Sequence, residues 1–322
     1  MVGVNLEVKL TVPIEVMEVF GGIEAGGTKF LCGVGTCPED VHVTSFPTSS
    51  PDTTVRKAAQ YVRERAGTGL RAVGIGSFGP IDLDPRSETY GYITSTPKRA
   101  WQNYDFAGDV ARMLDVPVAF DTDVNAAALA EARWGAAQDV EDFIYLTVGT
   151  GIGGGAVVNG QLVHGLMHPE MGHIRLPHDF AKDPFAGNCP YHNDCLEGLA
   201  SGSAIRERWG EHAYDLPPDH SAWILEAHYL ALALATWVCT LSPKRIVIGG
   251  GVMQRDFLFP AVRRELRDLL NDYIPKRAMI EDLDKFIVPP KLGNHSGVLG
   301  AILLAKNLYS RAVLDKSQSA SI

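Results

Sequence analysis

The sequence GGIEAGGTK, residues 21–29, places a glycine-rich turn directly after an apolar, β-prone run at residues 16–23. A second strand-like run, residues 30–34, follows at once, so the turn is predicted to join two strands. Its order Gly-Thr-Lys, ending at Lys29, is not the Gly-Lys-Ser/Thr of a Walker A loop, which also requires a following helix. Successive backbone N–H groups in such a turn can form an anion-binding nest, whereas a plain hairpin turn explains one isolated loop equally well.

Two more glycine-rich loops follow apolar runs. Residues 149–155 come after a buried strand-like run and lead to a strand that turns at Asn159-Gly160, a strong signal for a type I′ hairpin. Residues 249–251 follow the run 245–248 and precede a helical stretch. Because three such loops each end an apolar strand, a shared phosphate or nucleotide site is favoured over three unrelated turns.

Two stretches match the dinucleotide fingerprint G-x-G-x-x-G, at residues 74–79 and 149–154. The fingerprint requires a helix that starts inside the turn, because the helix N-terminus holds the pyrophosphate. The first match runs into residues 80–85, which begin and end with proline, and the second runs into a strand. Both matches are therefore rejected, and with them a nicotinamide-dependent enzyme.

Helical patterns fill the spaces between the strands, and the polar tail from Ser310 is expected to fray. The predicted helices are residues 53–65, 124–134, 221–240, 257–270 and 297–309. Strands mixed with helices indicate an α/β or α+β architecture. No repeat or low-complexity linker separates the halves, so a two-lobed body with a cleft, divided near residue 122, is predicted.

Composition narrows the functional class. The 322 residues carry a net charge of −9, which argues against a broad nucleic-acid or acidic-membrane surface. The longest apolar run, residues 229–241, is 13 residues and too short for a bilayer, so no membrane span is expected. The first twenty residues lack the pattern of a signal peptide, and they contain no arginine, which argues against a transit peptide. The cysteine count of five is odd, which argues for a reducing compartment and against a disulfide scaffold. A cytoplasmic protein is predicted.

Three soft or borderline metal ligands lie within seven residues, namely Cys189, His192 and Cys195. Zinc prefers thiolate and imidazole ligands in a tetrahedral arrangement, and a structural site is closed by a fourth protein ligand. The alternative is two free cysteines and a surface histidine. Candidates for the fourth ligand are His164, His168, His173 and His178.

Taken in order, the motifs resemble the ROK sugar kinases of the actin/hexokinase-like ATPase superfamily, and most closely their bacterial fructokinase branch. The stretches that carry the resemblance, from about residue 19 to 305, are GGIEAGGTK (21–29), STPKRAWQN (95–103), DTDVNAAALAE (121–131), LTVGTGIGGG (146–155), PEMGH (169–173), CPYHNDCLEGLASG (189–202) and IVIGGGVM (246–253). Glu24 stands where family members commonly carry Asp, Ala100 and Asn193 where glycine is usual, and Ser203 where proline is common.

The resemblance implies a two-lobed actin/hexokinase-like, ribonuclease H-like ATPase fold that closes on sugar and ATP. The small lobe is expected at residues 19–122 plus 299–312 and the large lobe at 123–298, with peripheral tails at 1–18 and 313–322. Dimerisation through the larger lobe is expected. ATP with Mg²⁺ is expected to contact Gly26, Gly27, Thr28, Lys29, Thr150, Gly151, Ser203, Gly249, Gly250, Gly251, Val252 and Met253.

For the sugar, the resemblance implies contacts from Asn103, Asp123, Glu170, His173 and Glu197, and it selects His173 as the fourth ligand of a structural zinc. Asp123 is expected to be the general base, with Asn125 helping to shape the site. Asp121 and Asp123 both precede the alanine-rich helix, so one is expected to be its N-cap. The helix N-terminus is expected to keep Asp123 ionised.

These expectations predict an ATP-dependent hexose kinase that phosphorylates the 6-hydroxyl of D-fructose. Mannose, glucose and an N-acylated mannosamine are the alternative substrates. A sugar-sensing regulator without kinase activity would need a helix-turn-helix segment before the first glycine turn. Only about twenty residues stand there, and the stretch is neither basic nor helical in pattern.

Overall fold

The computed structural model describes residues 18–274 and 282–319. Within these ranges the chain forms two five-stranded sheets and a small two-stranded ribbon. The strands are β1 (Val19–Ala25), β2 (Lys29–Gly35), β3 (His42–Pro47), β4 (Leu70–Ser77), β5 (Tyr92–Ile93), β6 (Tyr104–Asp105), β7 (Val118–Thr122), β8 (Phe143–Val148), β9 (Ile152–Val158), β10 (Gln161–Leu162), β11 (Arg245–Gly249) and β12 (Ile287–Val288).

Nine α-helices in the described ranges cover and connect the sheets. They are α1 (Pro51–Ala66), α2 (Phe106–Leu114), α3 (Asp123–Trp134), α4 (Leu196–Ala200), α5 (Gly202–Trp209), α6 (Ala222–Leu241), α7 (Leu258–Leu270), α8 (Leu283–Phe286) and α9 (Ser296–Ser319). The predicted helices lie within two residues of these bounds except at the last. There α9 continues to Ser319, so the expectation of a frayed tail from Ser310 is wrong.

The first sheet has the strand order β3-β2-β1-β4-β7. Strands β1 and β2 are antiparallel, with Glu24 opposite Leu31, so the predicted glycine turn is the hairpin between them. Strands β1, β4 and β7 are parallel, and β7 leads directly into α3 at Asp123. Because parallel strands end at the same edge of a sheet, the glycine turn and the start of α3 share that edge.

The second sheet has the order β10-β9-β8-β11-β12. Strands β8 and β11 are parallel, so the glycine loops that follow them also share one edge. Strands β9 and β10 form the predicted hairpin, whose turn residues Asn159 and Gly160 have φ values of +52° and +71°. Both values lie in the left-handed region that a type I′ turn requires, which confirms that prediction.

Helices α3 and α9 pack unusually closely. A Cβ on Gly300 would lie 1.7 Å from the carbonyl oxygen of Ala126, and a Cβ on Gly74 would lie 1.8 Å from that of Ala301. Glycine is therefore required at both positions, because any side chain would collide with the backbone of the neighbouring helix. Through these approaches α9 lies directly on β4 and on α3.

A buried carboxylate fixes the loop that precedes α9. Glu131 on α3 has no exposed surface. Its oxygens accept hydrogen bonds from the backbone N–H of Lys291 at 3.1 Å, the N–H of Leu292 at 3.0 Å and the hydroxyl of Ser296 at 2.7 Å. Hydrogen bonds to a charged acceptor contribute about 1.5–3 kcal/mol each, so this loop is held firmly at the junction of the two sheets.

Two helices in the described part of the chain, spanning 222–241 and 293–317, are long and apolar enough to cross a membrane by composition alone. Neither helix contains an uninterrupted apolar run long enough to span a bilayer. About half of each apolar window is buried against the rest of the protein, 50% and 44% respectively. Core helices of globular proteins have the same character, and Leu230 and Leu234 of α6 lie in the core under the second sheet.

Candidate active site

A cavity of about 290 Å³ lies between the two sheets. Glu24 and Lys29 line it from the first sheet, Gly149 and Gly250 line it from the second, and Asp123 lines it at the start of α3. The three glycine-rich turns predicted from the sequence therefore face one space. An arrangement of this kind, with backbone amides, one ammonium group and carboxylates, suits a phosphate-bearing ligand with its counterion.

The nucleotide residues implied by the resemblance divide into two groups. Lys29, Gly250 and Gly251 line the cavity directly. The others belong to the same loops or lie beside them without lining it, namely Gly26, Gly27, Thr28, Thr150, Gly151, Ser203, Gly249, Val252 and Met253. Because the side chains of Val252 and Met253 are buried in the core, only their backbone could face a ligand.

The first turn is fastened from outside by Thr48. Its hydroxyl donates to the carbonyl of Gly26 at 2.7 Å, and its N–H donates to the carbonyl of Thr28 at 2.9 Å. Thr28 and Lys29 are exposed at the tip of the turn. The turn therefore has a fixed backbone with a hydroxyl and an ammonium group available to a ligand.

The loop after β8 is held by three residues from the α4–α5 region. The N–H of Ile152 donates to Glu197 Oε2 at 2.8 Å. The hydroxyl of Ser203 donates to the carbonyl of Thr150 at 2.6 Å, and the N–H of Gly202 donates to the carbonyl of Gly149 at 2.7 Å. A carboxylate predicted for the sugar is thus also bound to the loop predicted for the nucleotide.

The loop after β11 depends on a glycine at its centre. Gly250 has φ +93°, and a Cβ at this position would lie 2.4 Å from the carbonyl oxygen of Val148. Any side chain would therefore be strained by the backbone conformation and would collide with β8. This close approach brings the loops that follow β8 and β11 together.

Asp123 is the first residue of α3, and its Oδ1 accepts the N–H of Val124 at 2.9 Å. The N-cap is Thr122, whose hydroxyl accepts the N–H of Asn125 at 3.1 Å, so the expectation that Asp121 or Asp123 is the cap is wrong. Asp121 is instead the next-to-last residue of β7, and its Oδ1 accepts a hydrogen bond from the side-chain amide of Asn125 at 2.7 Å.

The charge state of Asp123 also differs from the expectation. Burial raises the pKa of its carboxyl to about 6, although the N–H of Val124 opposes the shift. The helix N-terminus therefore does not keep the group in its usual range, because loss of water around the carboxylate is the larger effect. The group remains mostly ionised at neutral pH and is a stronger base than an exposed aspartate.

Glu24 also lines this cavity, although no role for its carboxylate was predicted from the sequence. Burial raises its pKa to about 7, the charge of Asp123 adds to the shift, and Lys29 opposes it. Its Oε2 is buried without a hydrogen-bond partner, and a Cβ on Gly297 would lie 2.3 Å from its Cδ. An acidic residue at the end of β1, just before a phosphate-type turn, is the signal that could have identified it.

Gln254 and Asn294 line the same cavity and were missed as well. Both follow structural turns that carry no chemical signature in the sequence. The position of Asn294 depends on contacts between residues far apart in the sequence, such as the hydrogen bonds that the loop before α9 donates to Glu131.

Three of the predicted sugar residues lie together. His173 Nε2 is 3.9 Å from Glu170 Oε2 and 4.0 Å from Glu197 Oε1. Burial raises the pKa of Glu170 to about 7, and the charges of Glu197 and Asp123 add to the shift. The fifth predicted contact, Asn103, is exposed, and its N–H donates to the Thr94 carbonyl at 3.2 Å. No polar contact in the described ranges joins it to the other four.

The predicted metal ligands converge on one point. The ligand atoms of His173, Cys189, His192 and Cys195 all lie within 4.8 Å of one another. His173 Nδ1 is 3.5 Å from Cys195 Sγ and 3.7 Å from Cys189 Sγ, and His192 Nδ1 is 3.7 Å from Cys189 Sγ. Tetrahedral zinc, with bonds of about 2.0–2.3 Å, separates its ligands by roughly these distances, so the donor set fits this ion.

Of the four candidate histidines, only His173 reaches this cluster. His164 contacts Asp121, His168 accepts a hydrogen bond from Ile81, and His178 contacts Asp183. The spacing of the residues alone could not identify the fourth ligand, because all four histidines lie within fifteen residues of one another.

Comparison with known proteins gives consistent matches over most of the chain. The profile of the ROK family matches residues 20–308. Fructokinase from Pediococcus pentosaceus is 41% identical over 297 residues, covering 91% of this chain and 100% of that protein. Fructokinase from Zymomonas mobilis is 42% identical over 295 residues, covering 89% and 96%.

Among solved structures, a ROK family glucokinase from Streptomyces griseus in complex with glucose and AMPPNP superposes with a TM-score of 0.72. It is 25% identical, and the match covers 90% of this chain and 99% of that one. This likeness confirms the fold class predicted from the sequence.

Proposed function

This chain belongs to the ROK family, and from that membership we propose that it is an ATP-dependent fructokinase, which transfers the γ-phosphoryl group of ATP to the 6-hydroxyl of D-fructose. One observation carries the proposal. A single cavity is lined by the glycine turns of both sheets and by the carboxylate of Asp123. Phosphoryl transfer needs these parts together, because catalysis consists mainly of positioning and of offsetting phosphate charge.

We assign the phosphates to the turn that ends at Lys29 and to the loop at residues 149–151, which face the cavity from opposite sides. Backbone N–H groups and the Lys29 ammonium would offset the phosphate charge. The adenosine is assigned to the backbone at residues 249–253. Mg²⁺ would accompany ATP, and the unpartnered Oε2 of Glu24 supports a role for this carboxylate in holding the ion or its water.

We assign the role of general base to Asp123. Its carboxylate would accept the proton of the 6-hydroxyl while the hydroxyl oxygen forms a bond to the γ-phosphorus and the bond to ADP breaks. In a loose transition state this proton leaves late, so a weak base suffices. The pKa of about 6 supports the role, since the group is ionised at neutral pH and still gains a proton readily.

We assign the sugar hydroxyls to Glu170, His173 and Glu197, whose polar atoms face one another near the cavity. Carboxylates that accept hydrogen bonds from hydroxyls give sugar sites their specificity. Asn103 is exposed in this structure and would reach the sugar only when the lobes close, a motion common in enzymes that must exclude water.

We assign a structural role to zinc. Four protein ligands close the coordination sphere, which leaves no position for a substrate. The ion would hold His173 by Nδ1, so that Nε2 is presented to Glu170 and Glu197. Lobe boundaries at residues 122 and 299 and a homodimer remain predictions from the resemblance, and a cytoplasmic location remains a prediction from the sequence.

A coupled assay tests the proposal. Purified protein with Mg-ATP is compared on fructose, mannose, glucose and N-acetylmannosamine, and we expect the highest kcat/KM on fructose. A preference for another hexose would make the chain a related ROK kinase. Absence of turnover on all four sugars, with sugar binding retained, would favour a sensing protein without kinase activity.

A further inference from the structure

A segment of the predicted large lobe enters the predicted small lobe. Residues 163–170 connect β10 to the turn that carries His173. His168 in this segment is only 3% exposed. Its Nε2 accepts the backbone N–H of Ile81 at 3.1 Å, and a Cβ on Gly79 would lie 3.2 Å from its Cε1.

The partner of His168 is a rigid part of the small lobe. Ile81 is 2% exposed and packs in the core of the first sheet with Ile93 and Trp101. It also forms an isolated β-bridge with Ile93. A ring anchored to this N–H is therefore anchored to the lobe itself and not to a surface loop.

The same segment has a second anchor beside the proposed base. His164 Nε2 lies 3.0 Å from Asp121 Oδ2 and 3.4 Å from Asn125 Nδ2. Asp121 is the next-to-last residue of β7, two residues before Asp123. The segment is thus attached to the small lobe at two points, at Asp121 near the end of β7 and at Ile81 beyond the end of β4.

The hydrogen bonds of His168 define its tautomer. A ring nitrogen that accepts an N–H carries no proton, so the proton of the neutral ring is on Nδ1. Burial lowers the pKa of His168, which agrees with a neutral ring. Nδ1 lies 3.5 Å from the Pro169 carbonyl and 3.6 Å from Glu170 Oε1. The N–H of this nitrogen donates to the Pro169 carbonyl, and the carboxylate that we assign to the sugar lies beside it.

We propose that His168 is a positioning residue. Its ring is held by the Ile81 N–H of the small lobe, and the position of the ring in turn determines where the carboxylate of Glu170 lies. Because one residue separates His168 from Glu170, a fixed ring limits where that carboxylate can point. The contact then couples the relative position of the two lobes to sugar binding. This inference rests on the proposed function, since it assigns Glu170 to the sugar.

The test compares His168→Gln with His168→Leu. Glutamine can place an acceptor near the position of Nε2, whereas leucine fills similar space without one. We expect His168→Leu to raise the KM for fructose about tenfold, because the backbone that carries Glu170 is then no longer held at the Ile81 N–H. The KM for ATP and the zinc content should remain near wild type. His168→Gln should recover most of the fructose affinity, and His228→Leu serves as a control for loss of a histidine at the Glu265 contact.

Two readouts separate the outcomes. Hydrogen exchange at the Ile81 amide should be faster in His168→Leu and protected in His168→Gln, and an unchanged rate would overturn the contact whatever the activity. Equal rises in the KM for fructose and ATP, without recovery by glutamine, would show a merely structural role and overturn the inference. Absence of turnover in the wild type would instead refute the proposed function, and the exchange rates would still decide the contact.

Discussion

His173 and Glu197 lie 4.0 Å apart, measured from Nε2 to Oε1, while the other nitrogen of His173 lies within the Cys189–Cys195 cluster. One imidazole therefore joins the proposed zinc site to the proposed sugar site. Glu197 in turn accepts the N–H of Ile152 through its second oxygen. The proposed zinc site, the proposed sugar site and the loop after β8 are thus connected through two side chains.

Replacement of a zinc ligand should therefore affect sugar binding before it affects the nucleotide. For Cys195→Ser we expect loss of bound zinc, a lower melting temperature and a rise in the KM for fructose of at least about tenfold. Changes to residues that hold or support a metal commonly reduce metal affinity or activity by about 10–100-fold. Metal analysis, calorimetry and steady-state kinetics measure these effects. Cys37→Ser, outside the cluster, is the matched control. Normal fructose affinity in zinc-free protein would contradict the prediction.

Glu170 and Glu197 should behave differently although both face His173. Glu197→Ala should raise the KM for both fructose and ATP by about tenfold, because it leaves the N–H of Ile152 unpaired at the nucleotide loop. Glu170→Ala should raise only the KM for fructose, since no bond in the described ranges ties Glu170 to that loop. Kinetics with each substrate varied in turn distinguish the two variants, and identical patterns would refute the link through Glu197.

The sequence predicted the three glycine turns because each combines an apolar strand with residues of strong turn preference, which are local properties. It also predicted Cys189, His192 and Cys195, since their spacing is short. His173 came only from the resemblance, because four histidines stood at similar distances along the chain. The burial that raises the pKa of Asp123 depends on elements far apart in sequence. No local pattern could reveal it, and the same holds for the placement of Asn294 in the cavity.

Activity should fall as the pH decreases through about 6. The proposed base must be ionised to accept a proton, and burial raises the pKa of Asp123 to about 6 from 3.8. Below that pH the carboxyl becomes protonated, so kcat/KM for fructose should decrease about tenfold per pH unit. A profile measured between pH 4.5 and 8 at constant Mg-ATP tests this. A flat profile down to pH 5, with the protein still folded, would exclude Asp123 as the base.

Asp123→Asn should abolish turnover and stabilise the fold at the same time. Loss of a general base lowers kcat by about 10²–10⁴-fold. The folded-state pKa of Asp123 lies above the unfolded value, so the wild type loses stability as the pH rises from about 4 to 6, and the loss is complete above 6. A neutral asparagine avoids this cost and still accepts the N–H of Val124.

At pH 7.5 we therefore expect Asp123→Asn to unfold with a free energy about 1–3 kcal/mol above wild type, and the difference to shrink toward pH 4. Denaturant unfolding at the two pH values measures it. Asp219→Asn, at an exposed position, should show no such dependence. A variant that is less stable than wild type at pH 7.5 would show that burial does not raise the pKa as stated.

Glu24→Gln should increase the requirement for Mg²⁺ while leaving the fold intact. The carboxylate has one buried oxygen without a partner and lines the cavity together with Lys29, so it can bind a cation that accompanies ATP. Loss of that charge should raise the Mg²⁺ concentration for half-maximal activity by roughly tenfold, the effect of about 1.4 kcal/mol. Magnesium titrations at fixed ATP and fructose measure the shift. Glu64→Gln on the exposed face of α1 is the matched control, and an unchanged titration in Glu24→Gln would refute a role for this carboxylate in holding the ion.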